Sequence, residues 1–220
     1  YPRARQRKKD IYTIEEITRI FELLVGENVP AKFRVFFKLA VYSGYRRGKL
    51  LGLEWKDVDF ENNTIKVRRT SNYTAKKGIY TDTTKTKKSQ RTQKYPQYVM
   101  DMLWELRKEQ DEQCARMGDK WQDYDRLFIK WDGSPMNNNT PYFWFKEFCE
   151  KNSIRFCDIH SLRHQYVKYT TKKYCDFSEL FLRSDTRSSV RKSSEGYTQL
   201  PPCYSGTHTP VLSAVRQEPV

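Results

Sequence analysis

Asp158-Ile159-His160-Ser161-Leu162-Arg163-His164 brings two of the chain's three histidines next to an arginine. His160 and Arg163 are three apart, so a helix starting near Ser161 places both on one face. An imidazole and a guanidinium side by side suit a single target, a phosphate or a carboxylate, because both offer hydrogen-bond donors to its oxygens. Leu162 would point the other way, into a core. A His-x-x-Arg pair is expected by chance roughly 0.3 times in a chain of this composition, so its meaning depends on what accompanies it.

Charge supplies the first accompaniment. The chain of 220 residues carries a net charge of +14. Residues 1–9 hold five Arg/Lys and no acid, and residues 65–94 hold ten against Asp82, so these two stretches account for 5 + 9 = 14 and the rest is balanced. Excess charge gathered into patches is what a nucleic-acid backbone requires, whereas a generally basic soluble protein would spread it. The residues expected to meet DNA phosphates are Arg3, Arg5, Arg7, Lys8 and Lys9 in the first patch. In the second they are Arg68, Arg69, Lys76, Lys77, Lys87, Lys88 and Arg91. No basic amphipathic helix favours a membrane surface instead.

Other classes are excluded by composition. The five cysteines, Cys114, Cys149, Cys157, Cys175 and Cys203, are odd in number, irregularly spaced and without a CxxC pair. They indicate neither a zinc site nor a disulfide framework, and they fit a reducing cytoplasm. No signal peptide and no membrane-spanning run is visible, so no membrane association is expected. Aromatics at 15% supply enough apolar area for one folded domain of ordinary size plus tails.

The elements that must position these residues follow in order. Residues 1–11 read as a basic linker that opens abruptly, as if further domains preceded it. Thr13 and Glu16 form a capping box ahead of a stripe of Ile14, Ile17, Phe21 and Leu24, and Gly26 ends that helix. Pro30 introduces a second helix burying Phe33, Phe36, Phe37 and Ala40, and Ser43-Gly44 breaks the chain before Tyr45-Arg46-Arg47. Residues 64–69 alternate as a strand, residues 70–84 are polar, and residues 85–97 read as the return limb of a long basic hairpin. Residues 98–116 form an amphipathic helix on Val99, Met102, Leu103 and Leu106. Leu127-Phe128-Ile129 reads as a short buried strand, and Thr140 as the cap of a helix with Pro141 at its first position, lined by Phe143, Phe145 and Phe148. The fold class is α/β, mainly helical with a small antiparallel sheet and a β-hairpin.

The order of the polar motifs then becomes informative. Arg46 follows the Ser43-Gly44 turn, Lys85 sits in the basic hairpin (Thr84-Lys85-Thr86-Lys87-Lys88), and His160-x-x-Arg163 comes last. From SGYRRGKLLGLEWKDVDF through the hairpin to DIHSLRH, over roughly residues 12–165, the chain resembles the catalytic domain of tyrosine recombinases. Within that family it is most similar to integrases of phages and conjugative transposons. The resemblance implies site-specific DNA recombination without metal or other cofactor. A tyrosine attacks the scissile phosphodiester and forms a 3′-phosphotyrosyl link, which preserves the bond for rejoining. By the same resemblance Arg46 and Arg163 stabilise the transition-state charge, Lys85 protonates the leaving 5′ oxygen, and His160 assists proton transfer or holds the phosphate. Gly-x-Arg spacing selects Arg46 over Arg47, and Lys87 is the rival to Lys85. It also implies double-stranded DNA as partner, self-association into a tetramer on DNA, and a bacterial cytoplasmic setting. The catalytic domain is expected to cover residues 12–183.

The chain departs from the family pattern in two places. Lys49 stands where the family usually has a glutamate, and it is placed to repel Arg46 one helical turn earlier. No Leu-Gly-His motif follows His164. From Ser184 the chain turns rich in Ser, Thr and Pro, and residues 176–220 carry five basic and five acidic groups, a composition that predicts a disordered tail over residues 184–220. Tyr197 lies nearest the family's nucleophile position, roughly thirty residues beyond the second arginine. Tyr204 is a poorer alternative, and His208 comes too late for the missing histidine. A chain so altered is expected to cleave DNA weakly or not at all. The alternative function is therefore a non-catalytic DNA-binding module derived from such an integrase.

Overall fold

The computed structural model describes residues 11–26, 28–83 and 91–162. Helix α1 (Ile14–Leu24) starts as the sequence predicts. Glu16 donates its backbone N–H to Thr13 Oγ1 (3.2 Å), and the Glu16 carboxylate accepts the Thr13 N–H (2.7 Å). Helix α2 (Ala31–Ser43) begins after Pro30, buries Phe33, Phe36, Phe37 and Ala40, and stops at Gly44, whose φ of 60° lies in the left-handed region. A glycine accepts that conformation without a Cβ clash. A short helix α3 (Arg47–Leu51) follows, then a 3-10 turn at Trp55–Asp57.

Among the described residues five strands make two antiparallel sheets. Strands β1 (Val58–Asp59), β2 (Thr64–Val67) and β5 (Arg91–Lys94) form one, in the order β1-β2-β5, with Thr64 opposite Lys94 and Val67 opposite Arg91. Ile65 and Val67 turn inward to the core. The pairing of 64–67 with 91–94 is the expected hairpin limb. Residues 69–74 and 78–83 form a second hairpin, β3 (Arg69–Thr74) and β4 (Gly78–Thr83), paired from Arg69 opposite Thr83 to Thr74 opposite Gly78. Gly78, with φ 66°, closes its turn.

Helix α4 (Gln97–Met117) and helix α5 (Thr140–Lys151) follow, and residues 159–162 are again helical at the end of the described chain. Two expectations change here. Leu127, Phe128 and Ile129 are buried but form no strand; the chain makes only single bridges there, Glu54 with Arg126 and Ile129 with Pro135. Thr140 is the first helical residue of α5 and Asn139 precedes it as the cap position, while Phe143 is 63% exposed because the buried stripe is Pro141, Phe145, Phe148 and Cys149.

The core joins α2 to α5 through aromatic faces. Phe37 stacks on Phe145 at 4.6 Å between ring centroids, Phe33 on Trp144 at 4.3 Å, and Phe36 meets Phe128 edge-on at 5.2 Å. Each buried aromatic contributes about 1.5–3 kcal/mol, so this seam carries much of the domain's stability. No helix among the described residues is long and apolar enough to cross a membrane.

Candidate active site

The turn that presents Arg46 is fixed from below. Ser43 Oγ donates to the Leu39 carbonyl (2.6 Å) and accepts the Tyr45 N–H (3.1 Å). Tyr45 is buried, and Arg46 emerges as the residue just before α3 with its side chain exposed. Its carbonyl accepts the Lys49 N–H at 2.8 Å, so Lys49 sits one turn on.

Helix α3 lies directly on the second hairpin. A Cβ on Gly48 would come 2.8 Å from the Ser71 carbonyl oxygen and 2.8 Å from the Thr70 methyl. One on Gly52 would come 3.0 Å from Arg69 O and 3.0 Å from Ser71 N. The missing side chains at these two positions let the helix that follows Arg46 approach the β3 backbone. Asn138 completes the seating: it donates to Ser71 O (3.0 Å) and its side-chain oxygen accepts from Ser71 Oγ (3.2 Å).

His160 comes from the other end of the described chain. Residues 159–162 are helical, and both the N–H and the hydroxyl of Ser161 donate to the Asp158 carbonyl. Ile159 and Leu162 are buried, which turns His160 outward. Tyr45, Arg46, Arg47, Gly48, Asp158, Ile159 and His160 line one cavity of about 280 Å³. That volume falls just below the usual range for a ligand site, about 300–1,000 Å³, and suits a compact anionic group. Arg47 lines it as well as Arg46, so the cavity does not separate the two rivals; motif spacing alone favours Arg46. Asp158 adds a carboxylate to the same wall.

Beneath the hairpin lies an ion cluster that the sequence reading missed. Arg69 contacts both Glu54 and Asp57, the latter at 3.2 Å, with its side chain only 12% exposed. Arg126, also buried, reaches Glu54 at 3.7 Å and donates to Thr81 Oγ1 of β4 and to the Leu51 carbonyl. Burial pushes the Asp57 carboxyl up; the Glu54 N–H and Arg69 work against that rise. Arg69, expected at a phosphate, is thus turned into the protein. Lys76 and Lys77 stand exposed at the turn of the β3–β4 hairpin, and Arg91 is exposed at the start of β5. Arg68 is half in solvent, with Nε 3.6 Å from Asp57. The Leu53-Glu54-Trp55-Lys56-Asp57 run held the signal for this cluster, but its basic partners are distant in sequence.

Lys85, Lys87, Lys88, Arg163 and Tyr197 lie outside the described residues, as do Arg3, Arg5, Arg7, Lys8, Lys9 and the tail. Among the described residues no group of His, Cys, Asp and Glu could hold a metal ion.

An arginine from the α2–α3 turn and a histidine from the last described helical turn thus line one pocket beside a basic hairpin, a set of donors suited to an anion. Residues 11–176 match the Phage integrase family, and the chain belongs to it. It is 30% identical over 169 residues to a XerC-like tyrosine recombinase of Caldanaerobacter subterraneus subsp. tengcongensis, covering 72% of this chain and 42% of that protein. It is 24% identical over 162 residues to the ICEBs1 integrase of Bacillus subtilis, covering 74% and 43%. The chain thus spans less than half the length of these relatives. Among solved structures it shares the fold of the Tn1549 transposon integrase in complex with circular intermediate DNA, with a TM-score of 0.65, 19% identity, and 83% and 60% of the two chains covered. The tyrosine recombinase catalytic-domain fold expected from the motifs is therefore the one found.

Proposed function

We propose that this chain performs site-specific DNA recombination through a 3′-phosphotyrosyl intermediate, as the catalytic part of a transposon or phage integrase. The observation that carries this reading is the shared cavity of Arg46 and His160 in a member of the Phage integrase family. In the proposed reaction the Tyr197 hydroxyl passes its proton to solvent water as its oxygen attacks phosphorus. The bond from phosphorus to the 5′ oxygen breaks, and Lys85 gives that oxygen a proton. Arg46 and Arg163 hold the non-bridging oxygens, whose negative charge grows in the transition state, and His160 contributes a further donor. Attack by a 5′ hydroxyl from the partner duplex then displaces the tyrosine oxygen, which regains a proton, and rejoins DNA. Lys76, Lys77, Arg91 and the basic residues of 1–9 and 85–90 bind the duplex backbone, and four copies assemble on the recombining sites. The catalytic domain spans residues 12–183, entered through the linker 1–11.

A second reading is binding without cleavage. It rests only on the lack of a Leu-Gly-His motif after His164, and membership of the Phage integrase family favours the first reading over it. A nicked duplex that traps the covalent intermediate separates the two. An SDS-stable protein–DNA band lost in Tyr197→Phe supports recombination chemistry; a retained gel shift with no band supports the binding module.

A further inference from the structure

Residues 154–158, which lead into His160, belong to no helix or strand. Side-chain bonds to the start of the domain hold them instead. Tyr12 is 1% exposed, and its hydroxyl accepts the Cys157 N–H at 2.7 Å and lies 3.3 Å from the Cys157 carbonyl. Cys157 is itself buried, so its amide has no solvent to turn to, and a buried N–H left without a partner is costly. Two residues earlier, Arg155 grips the same region with both arms of its fork. Its Nε and Nη2 donate to the two Glu16 carboxylate oxygens at 3.0 Å each, and Nη2 donates also to the Ile11 carbonyl at 3.2 Å. The guanidinium lies 5.9 Å from the centre of the Tyr12 ring. Glu16 is the carboxylate that closes the α1 capping box, so helix start and clamp share one group.

We propose that Tyr12 is a positioning residue for His160, with Glu16 and Arg155 as the second half of the same clamp. The packing role of residue 12 needs only a ring, which Phe145 meets edge-on at 6.3 Å. The hydroxyl is what fixes the Cys157 peptide, three positions before the imidazole. Burial raises the Tyr12 phenol well above its ordinary range, so the group stays protonated and serves as a bonding partner rather than a base. Ile11 lies two positions beyond the basic stretch of residues 1–9, so the start of the described domain and the segment that presents His160 share an anchor. This inference rests on the reading that His160 acts at the scissile phosphate.

Tyr12→Phe in the full chain tests it by removing one oxygen and keeping the ring. The expected result is at least about tenfold faster hydrogen exchange at the Cys157 amide and displaced His160 imidazole signals in NMR spectra, since a hydrogen bond on this scale is lost. The rate of covalent adduct formation on nicked DNA should fall about tenfold while the gel-shift Kd stays unchanged, because a displaced donor weakens the transition state and not the many phosphate contacts. Glu16→Gln, which leaves Tyr12 in place, should displace the same His160 signals by a smaller amount and serves if Tyr12→Phe does not fold. Unchanged Cys157 exchange and unchanged His160 signals in either folded variant would overturn the proposal. The NMR readout needs no turnover, so a chain that forms no adduct at all counts against the recombination reading and leaves this test intact.

Discussion

Arg46 and His160 line the same cavity although one precedes α3 and the other lies in the last turn of described chain. Their meeting is the structural content of two motifs that the sequence shows only as separate words. Arg46 is held by the Ser43–Tyr45 turn and by α3 seated on β3 through Gly48 and Gly52. His160 is held by the buried Ile159 and Leu162 and by the bonds of the segment before it.

Arg46→Ala should lower the strand-cleavage rate on the order of 10²–10³, as loss of one transition-state donor does, with little change in DNA affinity. Arg47→Ala should cost much less. Single-turnover kinetics with gel shifts on both variants decide between the neighbours; the reverse ranking would move the role to Arg47.

DNA affinity should fall steeply with salt, with log K losing about 0.9 per neutralised phosphate for each unit of log salt. Replacing Lys76 and Lys77 with Ala should flatten that slope, because both are exposed at the hairpin turn. Fluorescence anisotropy over a salt series reads this directly. An unaltered slope would remove the hairpin from the DNA interface.

Arg69→Ala should behave differently from those surface changes. It strips Glu54 and Asp57 of a buried partner, and removing one member of a buried ion pair typically costs about 3–5 kcal/mol. The outcome expected is a lowered Tm with the salt slope preserved in whatever protein remains folded, measured by thermal denaturation.

Glu16 gives the stability a dependence on pH. The hydrogen bonds from Arg155 hold its carboxyl below the ordinary value of 4.5. A carboxyl depressed in the folded state stabilises fully above its unfolded pKa, and that contribution is lost as pH falls through the folded value. Urea midpoints from pH 6 downward should therefore decline, and Glu16→Gln should decline less over the window below 4.5.

Much of the scaffold was legible because it follows local rules. The Thr13–Glu16 box starts α1, Gly44 ends α2, and the apolar spacing of Val99, Leu103 and Leu106 marks α4. The β3–β4 hairpin was not legible, because strands such as Arg69–Thr74 are polar on both faces and show no alternation. Phe143 was misplaced because helical spacing from Phe145 and Phe148 puts it on the solvent side. Arg69 reads as one more basic residue until Glu54 and Asp57, brought up by the turn after α3, are seen beneath it. The pairing of Arg46 with His160 was expected only through the family resemblance, since no local rule joins the two ends of the domain.

The most direct test of the central claim is covalent trapping on a nicked duplex in the presence of EDTA. The account predicts an SDS-stable protein–DNA adduct from the unaltered chain, strongly reduced in Arg46→Ala and absent in Tyr197→Phe, with gel shifts retained in all. An adduct formed equally well by Arg46→Ala, or no adduct from the unaltered chain on a site it binds, would contradict it.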